Sequence, residues 1–337
     1  MGNGALNVLC MMPTPLEKSI LATLHFFDLF DYPLTLLEIH RYLYKGSWWN
    51  DEVFEGGLYE IIKQLGEMAL KVESREGFYF LTGRDELIKI RARRYLASCE
   101  KFKKAVFVCE LLSLLPGVRQ IYAVNTLAYA NAKSTSDIDL LIIAHPRGLW
   151  TARFFCVSLL KLIRARPRVL RGARNKAGQI SLLDQIRTCP KTRNAFCLTF
   201  FLVQGSLDIH SIARAPSDPY LVFWIAQALC IYEGSAHAVS LMNANRWVKR
   251  FLPNAREPKA PPFLAIRTHA SLPHLGDMFE KFASAFQRAI MPVYIKEAQN
   301  IHDGGVILNE DMLKFHLNDR RESYAKEFQN RLNTFVL

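Results

Sequence analysis

One short segment constrains the fold more than any other part of the chain. Ser136-Asp-Ile-Asp-Leu-Leu-Ile-Ile-Ala144 combines an apolar run with two carboxylates. Apart from Asp139, residues 138–144 are all apolar, which indicates a β-strand covered on both faces. Because side chains alternate along a strand, Asp137 and Asp139 point to the same side, about 6 to 7 Å apart along the backbone. Burying two carboxylates together is costly without a cation, so the pair indicates either a cation site or a cap on the preceding turn.

The cation that suits such a pair is Mg²⁺ (or Mn²⁺). Magnesium takes oxygen ligands and combines one or two protein carboxylates with the phosphates of a substrate. The ion would neutralise a triphosphate, orient an attacking hydroxyl and stabilise the leaving pyrophosphate. The pair therefore predicts metal-assisted phosphoryl or nucleotidyl transfer.

The surrounding residues resemble a known signature. Thr126-Leu127-Ala128, Asn131-Ala132 and Ser136-Asp-Ile-Asp-Leu-Leu-Ile142 follow the order and spacing of minimal bacterial nucleotidyltransferases of the DNA polymerase β-like superfamily. The resemblance covers residues 120–144, and the order of strands and helices to residue 210 is compatible with it. It implies transfer of an NMP group from an NTP to a hydroxyl of a nucleic acid, protein or small molecule, with metal on Asp137 and Asp139. Members of this superfamily often occur in toxin–antitoxin pairs, a hypothesis that rests on the resemblance alone.

Two positions depart from the family pattern. Asn125-Thr126 replaces the Gly-Ser pair, which keeps a hydroxyl for phosphate contact and a capping side chain but loses the permissive backbone of glycine. The family's third carboxylate lies on a later strand, whereas residues 196–203 carry Thr199 and no acid. Asp208 is the preferred substitute and Asp184 the other. These departures favour a second hypothesis, a catalytically degenerate nucleotide- or nucleic-acid-binding regulatory protein.

Positive charge is concentrated after the predicted strand. The chain has a formal net charge of +12, and its residues between Asp139 and Asp184 include nine Lys or Arg and no acid. Such a segment attracts phosphates, and we predict that Arg147 and Arg153 contact the triphosphate of an NTP or the backbone of a nucleic acid. A solvated basic loop explains the outer charges equally well. His145 and His210 are predicted to be surface or structural residues.

Hydrophobic periodicity predicts the rest of the organisation, an α+β protein with a small mixed β-sheet. The predicted parts are a winged helix-turn-helix-like domain (1–83), a linker helix (84–116), a nucleotidyltransferase-like domain (117–212) and a helical C-terminal region (213–337). The third helix of the first part is rich in glutamate, which indicates packing or oligomerisation rather than contact with DNA. Trp224, Tyr232 and Trp247 are predicted to pack in the core.

Cysteine usage and hydropathy predict the cellular compartment of the protein. The seven cysteines include no CxxC pair, which indicates free thiols in a reducing environment. The N-terminus is a poor signal peptide, and the most apolar stretches are about half the length that spans a bilayer. We therefore expect a cytoplasmic protein with no membrane partner. The partners that the resemblance implies are an NTP and a nucleic-acid or protein acceptor. The oligomeric state is left open.

Overall fold

The computed structural model describes residues 13–49, 56–165, 195–214, 217–234, 238–266, 272, 275–299, 305–317 and 319–336. Within these residues the protein is mixed α+β with two sheets, as the sequence predicts. Contacts divide the chain into two units. Unit 1 comprises Met1–Ile88, Lys249–Ala255 and Lys326–Leu337, and unit 2 comprises Lys89–Val248 and Arg256–Ala325.

Unit 1 contains three helices and a small sheet in the region where the sequence predicts three helices and a hairpin. The helices are α1 (Pro15–Asp28), α2 (Leu36–Arg41) and α3 (Leu58–Glu67). The strands β1 (Leu34–Thr35), β2 (Val72–Arg75) and β3 (Phe78–Leu81) are arranged antiparallel in the order β1-β3-β2. A capping box between Thr35 and Glu38 begins α2, which explains how a six-residue helix is held.

Two buried polar side chains join parts of unit 1. The fully buried hydroxyl of Thr23 donates to the Ser19 carbonyl at 2.7 Å and accepts the backbone N–H of Tyr44 at 3.0 Å. The Asp28 carboxylate at the end of α1 pairs with the Arg331 guanidinium at 2.7 Å. Both contacts satisfy groups that would be costly to bury alone.

Unit 2 is built around a six-stranded mixed sheet in the order β7-β4-β5-β6-β9-β8. Its strands are β4 (Val118–Ala123), β5 (Ile138–Ala144), β6 (Phe196–Val203), β7 (Leu229–Glu233), β8 (Val306–Leu308) and β9 (Met312–Phe315). Strand β5 pairs antiparallel with β4 and parallel with β6. Every residue of β5 except Asp139 is buried, which confirms the predicted strand covered on both faces.

The described residues form further helices after β3. They are α4 (Glu86–Ser113), α5 (Asn125–Ala128), α6 (Leu149–Leu162), α7 (Pro219–Gln227), α8 (Leu241–Ala244), α9 (Asp277–Ala289), α10 (Val293–Gln299) and α11 (Arg321–Val336). Ile138, Leu140 and Ile142 of β5 share a core cluster with Cys109 of α4 and Trp150 of α6. The alternate residues of β5, including Asp139, therefore face the other side of the sheet. No helix in the described ranges is both long enough and apolar enough to cross a membrane.

The C-terminal region differs from its prediction as a helical region. Strands β7, β8 and β9 all lie beyond residue 213 and extend the sheet on both sides of the strands β4, β5 and β6. They are three to five residues long, too short for a periodic signal, and their partners lie far earlier in the chain. Helix α4 also does more than link two parts, because Phe102, Ala105 and Cys109 belong to the core cluster of unit 2.

The buried hydroxyl of Thr23 yields a stability prediction. Thr23→Val keeps the shape but leaves the Tyr44 N–H without its acceptor, so we expect a loss of about 1 to 3 kcal/mol in the free energy of unfolding of unit 1. Urea unfolding followed by circular dichroism measures the loss. Thr82→Val is the control, because the Thr82 hydroxyl is exposed. Equal stability of the two variants would contradict the assigned hydrogen bond.

Candidate functional site

Helix α4 holds the turn that precedes the acidic pair. Three contacts join one face of α4 to this turn: Arg94 with Asn131, Ser98 with Ala132, and Lys101 with Ser136. The helix residues are three or four positions apart and so lie on the same face. In the last contact, the fully buried Lys101 ammonium donates to the Ser136 carbonyl at 2.6 Å. The Lys101 ammonium is therefore held at the carbonyl group of the residue that precedes Asp137.

The acidic pair lies where β5 begins. Asp137 immediately precedes the strand, and its Oδ1 atom is shielded from solvent. Asp139 is opposite Cys197 of β6, and its carbonyl accepts the N–H of Val124 at 3.1 Å. The Asp139 side chain lines a cavity of about 230 Å³ in unit 2. Asp137, which the sequence expects to face the same pocket, is not among the residues that line this cavity.

The surroundings of Asp139 favour its neutral form more than water does. Burial raises the pKa of Asp139 to about 6. The hydrogen bond from Asn125 opposes this increase, the negative charge of Asp137 adds to it, and Cys197 and the charge of Lys101 oppose it. A carboxylate with such a shifted pKa beside a cavity is typical of functional sites.

Asn125 explains how the turn forms without the glycine of the family pattern. Its φ of 56° lies in the left-handed region, where asparagine is tolerated better than other residues with a side chain. Its Oδ1 atom accepts the Trp224 indole N–H at 2.9 Å and the Tyr220 hydroxyl at 3.4 Å. The side chain therefore joins α7 to Asp139. Thr126 is not among the residues lining the cavity, and its carbonyl accepts the N–H of Asn131.

Neutral groups occupy the strand position where the family carries its third acid. Thr199 of β6 lines the cavity, and its hydroxyl lies 3.2 Å from Nε2 of His316 and 3.9 Å from the Cys197 sulfur. Burial lowers the pKa of His316 to about 4, so this imidazole is uncharged at neutral pH. The groups next to Asp139 on β6, and His316 beyond them, therefore bring no negative charge.

Asp208, the preferred substitute for the third acid, is not brought to the pair. Asp208 is exposed beyond the end of β6, where its Oδ1 atom accepts the backbone N–H of His210 at 2.9 Å. The His210 ring contacts Trp247, which agrees with a structural role. Among the residues that the structure describes, no three His, Cys, Asp or Glu side chains are grouped so as to share a metal ion. Asp184 lies outside the described residues, as does the basic segment from Arg166 to Lys176.

Arg147 and Arg153 also lie away from the pair. Arg147 follows the far end of β5, about 20 Å of extended strand from its start, and pairs with Asp277 at 3.3 Å. Arg153 is in α6, stacked 4.5 Å over the ring of Phe315, which packs against the core cluster on the α6 side. Both arginines are near the pair in sequence but not in space, because they follow the C-terminal end of β5 and the pair lies at its N-terminal end.

A buried ion cluster forms a wall that the sequence does not reveal. The Lys314 ammonium lies 2.7 Å from the Asp319 carboxylate, and the Arg321 guanidinium lies 2.9 Å from both Asp319 and Asp218. Although burial raises the pKa of Asp319, the hydrogen bonds from Arg321 and Lys314 hold it well below its usual range. Arg214 extends the cluster, 3.8 Å from Asp319 and 3.2 Å from Glu322, so that three cations face three anions. The sequence does carry one signal for this cluster, because Lys314 lies between apolar residues in the run Met312-Leu-Lys-Phe315.

Aromatic rings form the remaining wall of the cavity. Tyr220 and Trp224 come from α7, and Tyr324 of α11 stacks on Tyr220 with ring centres 5.4 Å apart. The exposed Arg320 guanidinium lies 5.1 Å above the Tyr324 ring. Trp224 packs on Phe200, but it also lines the cavity, so its prediction as a core residue is incomplete. Tyr232 is buried as predicted.

The acidic pair can be tested against the metal that the resemblance implies. A two-ion centre needs several oxygen ligands, because Mg²⁺ is held by carboxylates together with substrate phosphates. In the described parts of the chain the pair gains no third acid, Asp139 is engaged by Asn125 and Cys197, and a lysine charge lies beside it. This donor set does not fit a two-ion centre, and the Mg²⁺ (or Mn²⁺) prediction stays untested.

Comparison with known proteins adds no relative. No protein-family model matches the chain, and neither a curated protein nor a solved structure matches it significantly. The function of unit 2 must therefore be inferred from its geometry and from the residues that carry the resemblance.

The left-handed backbone of Asn125 yields the second prediction. Asn125→Ala and Asn125→Gly both remove the amide, but only alanine adds strain, so the alanine variant should be less stable by about 1 kcal/mol. At the exposed helical residue Asn243 the same pair should show the opposite order, by about 1 kcal/mol. Urea unfolding measures both differences. The same order at both positions would contradict the backbone argument.

The raised pKa of Asp139 yields the third prediction. The folded pKa of about 6 exceeds the usual 3.8, so the folded protein binds more protons than the unfolded protein between these pH values. The stability that Asp139 contributes is therefore fully present below pH 3.8 and is lost as the pH rises through 6. Asp139→Asn should therefore stabilise the protein at pH 7.5, by up to about 3 kcal/mol, and hardly at pH 4. Thermal unfolding at both pH values measures the effect, with exposed Asp208→Asn as control. A destabilised Asp139→Asn protein at pH 7.5 would contradict it.

Proposed function

We propose that unit 2 is a nucleotide-binding domain, a catalytically degenerate relative of the nucleotidyltransferases that its sequence resembles. The observation that carries the proposal is the cavity beside Asp139, which combines aromatic rings and hydrogen-bonding groups inside with a cation at its edge. Such a combination suits a ligand with a flat polar ring and an anionic tail. A nucleotide has both parts.

The aromatic wall supports binding of a base. Tyr220, Tyr324 and Trp224 line the cavity, and stacking on an aromatic side chain is worth about 1 to 3 kcal/mol per base. Asp139 and Thr199 add polar atoms to the same cavity. A carboxylate accepts hydrogen bonds from the amino and ring N–H groups of a base, or from ribose hydroxyls.

Charge and size indicate where the phosphates would lie. Lys314 and Arg321 are already neutralised by Asp319 and Asp218, so they offer little net attraction to an anion. Arg320 is exposed at the edge, which makes it the better phosphate contact. The cavity of about 230 Å³ is smaller than the roughly 300 to 1,000 Å³ of typical ligand sites. We infer that the nucleoside enters and the phosphates extend past Arg320.

The neighbours of Asp139 favour binding over transfer. Asn125 and Cys197 hydrogen-bond the Asp139 carboxylate, Thr199 lines the same cavity, and none of the three is a carboxylate that could hold a metal ion with it. The structure gives the pair hydrogen bonds and a lysine charge instead. Metal-dependent nucleotidyl transfer stays a prediction of the sequence resemblance, and the experiment below tests it together with binding.

Unit 1 supports the winged-helix-like prediction through its order of helices and its small sheet. Its helix α3 exposes Tyr59 and Ile62 together with Glu60 and Glu67. Phosphates would be repelled by this acidic and apolar surface, so contact between α3 and DNA forms no part of the proposal. The prediction of a packing or oligomerisation role is the one that this surface supports.

Nucleotide binding is the fourth prediction. Calorimetry with ATP, GTP, CTP and UTP should detect binding of at least one of them, and Tyr324→Ala should weaken it about tenfold or more through lost stacking. Tyr95→Ala is the matched control, because Tyr95 is an exposed tyrosine on α4. Unchanged affinity in Tyr324→Ala, or no binding of any nucleotide, would contradict the proposed site.

The same samples test transfer. The protein is incubated with each labelled NTP, Mg²⁺ or Mn²⁺, and total tRNA or lysate, beside the double variant Asp137→Ala/Asp139→Ala. Binding without label transfer is the expected result. Transfer that is lost in the double variant would establish the enzyme instead and overturn the degenerate assignment.

A further inference from the structure

We propose that the ammonium group of Lys101 is a built-in counter-cation for Asp137 and Asp139, so that a nucleotide binds beside them without a divalent metal ion. The inference rests on the proposed nucleotide binding and adds its metal dependence. It assigns to one lysine of α4 the electrostatic role that a metal has in the transferases.

The position of Lys101 carries the argument. Its side chain is completely buried, and its Nζ atom donates to the Ser136 carbonyl at 2.6 Å. Ser136 directly precedes Asp137, so the positive charge is fixed where β5 begins. Its charge also favours the ionised form of Asp139, the second member of the pair.

Burial makes this charge expensive unless an anion is near. An ammonium removed from water is stabilised only by good hydrogen bonds and an opposite charge, and the same holds for a buried carboxylate. The Ser136 carbonyl supplies a hydrogen bond but no charge. The acidic pair supplies the charge, so the lysine and the pair stabilise each other in the folded protein.

Counting charges shows why a divalent ion would compete with the lysine. Asp137 and Asp139 carry two negative charges when ionised, and Lys101 neutralises one of them. A divalent ion at the pair would leave an excess positive charge in a shielded place, which like-charge repulsion disfavours.

A purely structural role for Lys101 makes a different prediction. If the lysine only fastens α4 to the turn, its replacement lowers stability but leaves the affinity of the pair for metal unchanged. If it is the counter-cation, its replacement also creates a metal site. Metal affinity therefore separates the two roles, whereas stability does not.

The decisive measurement is Mn²⁺ binding to the full chain without nucleotide, detected by electron paramagnetic resonance. The wild-type protein should bind Mn²⁺ weakly, and Lys101→Met should bind it about tenfold or more tightly, a change of about 1.4 kcal/mol. Lys101→Met/Asp139→Asn should lose this gain. Lys104→Met, an exposed lysine on the same helix, should behave as wild type.

Nucleotide binding gives an independent readout. Affinity of the wild type for the nucleotide identified by calorimetry should be the same in EDTA and in Mg²⁺, and that of Lys101→Met should require Mg²⁺. Tight Mn²⁺ binding by the wild type that Asp139→Asn abolishes would overturn the inference, even if Lys101→Met failed to fold. Absence of any nucleotide binding would instead overturn the proposed function, while the Mn²⁺ result would still decide the role of Lys101.

Discussion

Unit 2 depends on stabilising the negative charge of two carboxylates, Asp137 and Asp139, at the start of a buried strand. Strand β5 is central in its sheet, and Asp137 and Asp139 at its start are partly buried, so water solvates their carboxylates only in part. Helix α4 responds by fixing the preceding turn and placing Lys101 there, and Asn125 donates to Asp139 from the other side. The arrangement keeps a costly charge in the fold, which is the usual signature of a functional site.

The cavity beside Asp139 is assembled from segments that are distant in the chain. Helix α7 contributes two aromatic residues, and strand β9 with the start of α11 contributes the buried ion cluster. The cluster of Lys314, Arg321 and Arg214 with Asp319, Asp218 and Glu322 has equal numbers of cations and anions, so it shapes the wall without adding a strong field. Specificity for an anionic ligand then depends on exposed groups such as Arg320. This separation of a neutral wall from a charged edge favours a nucleoside inside and phosphates outside.

Function and stability make opposite demands at Asp139. Its raised pKa means that the ionised carboxylate costs folding free energy at neutral pH. A residue that served only to cap a turn would be stabilised by its surroundings rather than opposed by them. The neutral Thr199 and Cys197 on the neighbouring strand β6 spare the fold a further buried charge.

The sequence by itself determined the elements with a local signal. Periodicity and turn chemistry predict the apolar strand β5, the long helix α4, and the three helices with a hairpin in unit 1. They also predict that Asp139 faces away from the core cluster. These patterns depend on neighbouring residues, so the sequence alone reveals them. Only the tertiary structure decided what surrounds Asp139. It paired β6 with β9, brought Lys314 and Tyr324 to the cavity, and left Arg147 and Arg153 elsewhere. The physical reason is that strand pairing and helix packing depend on contacts between distant segments, which leave no periodic trace in three- to five-residue strands.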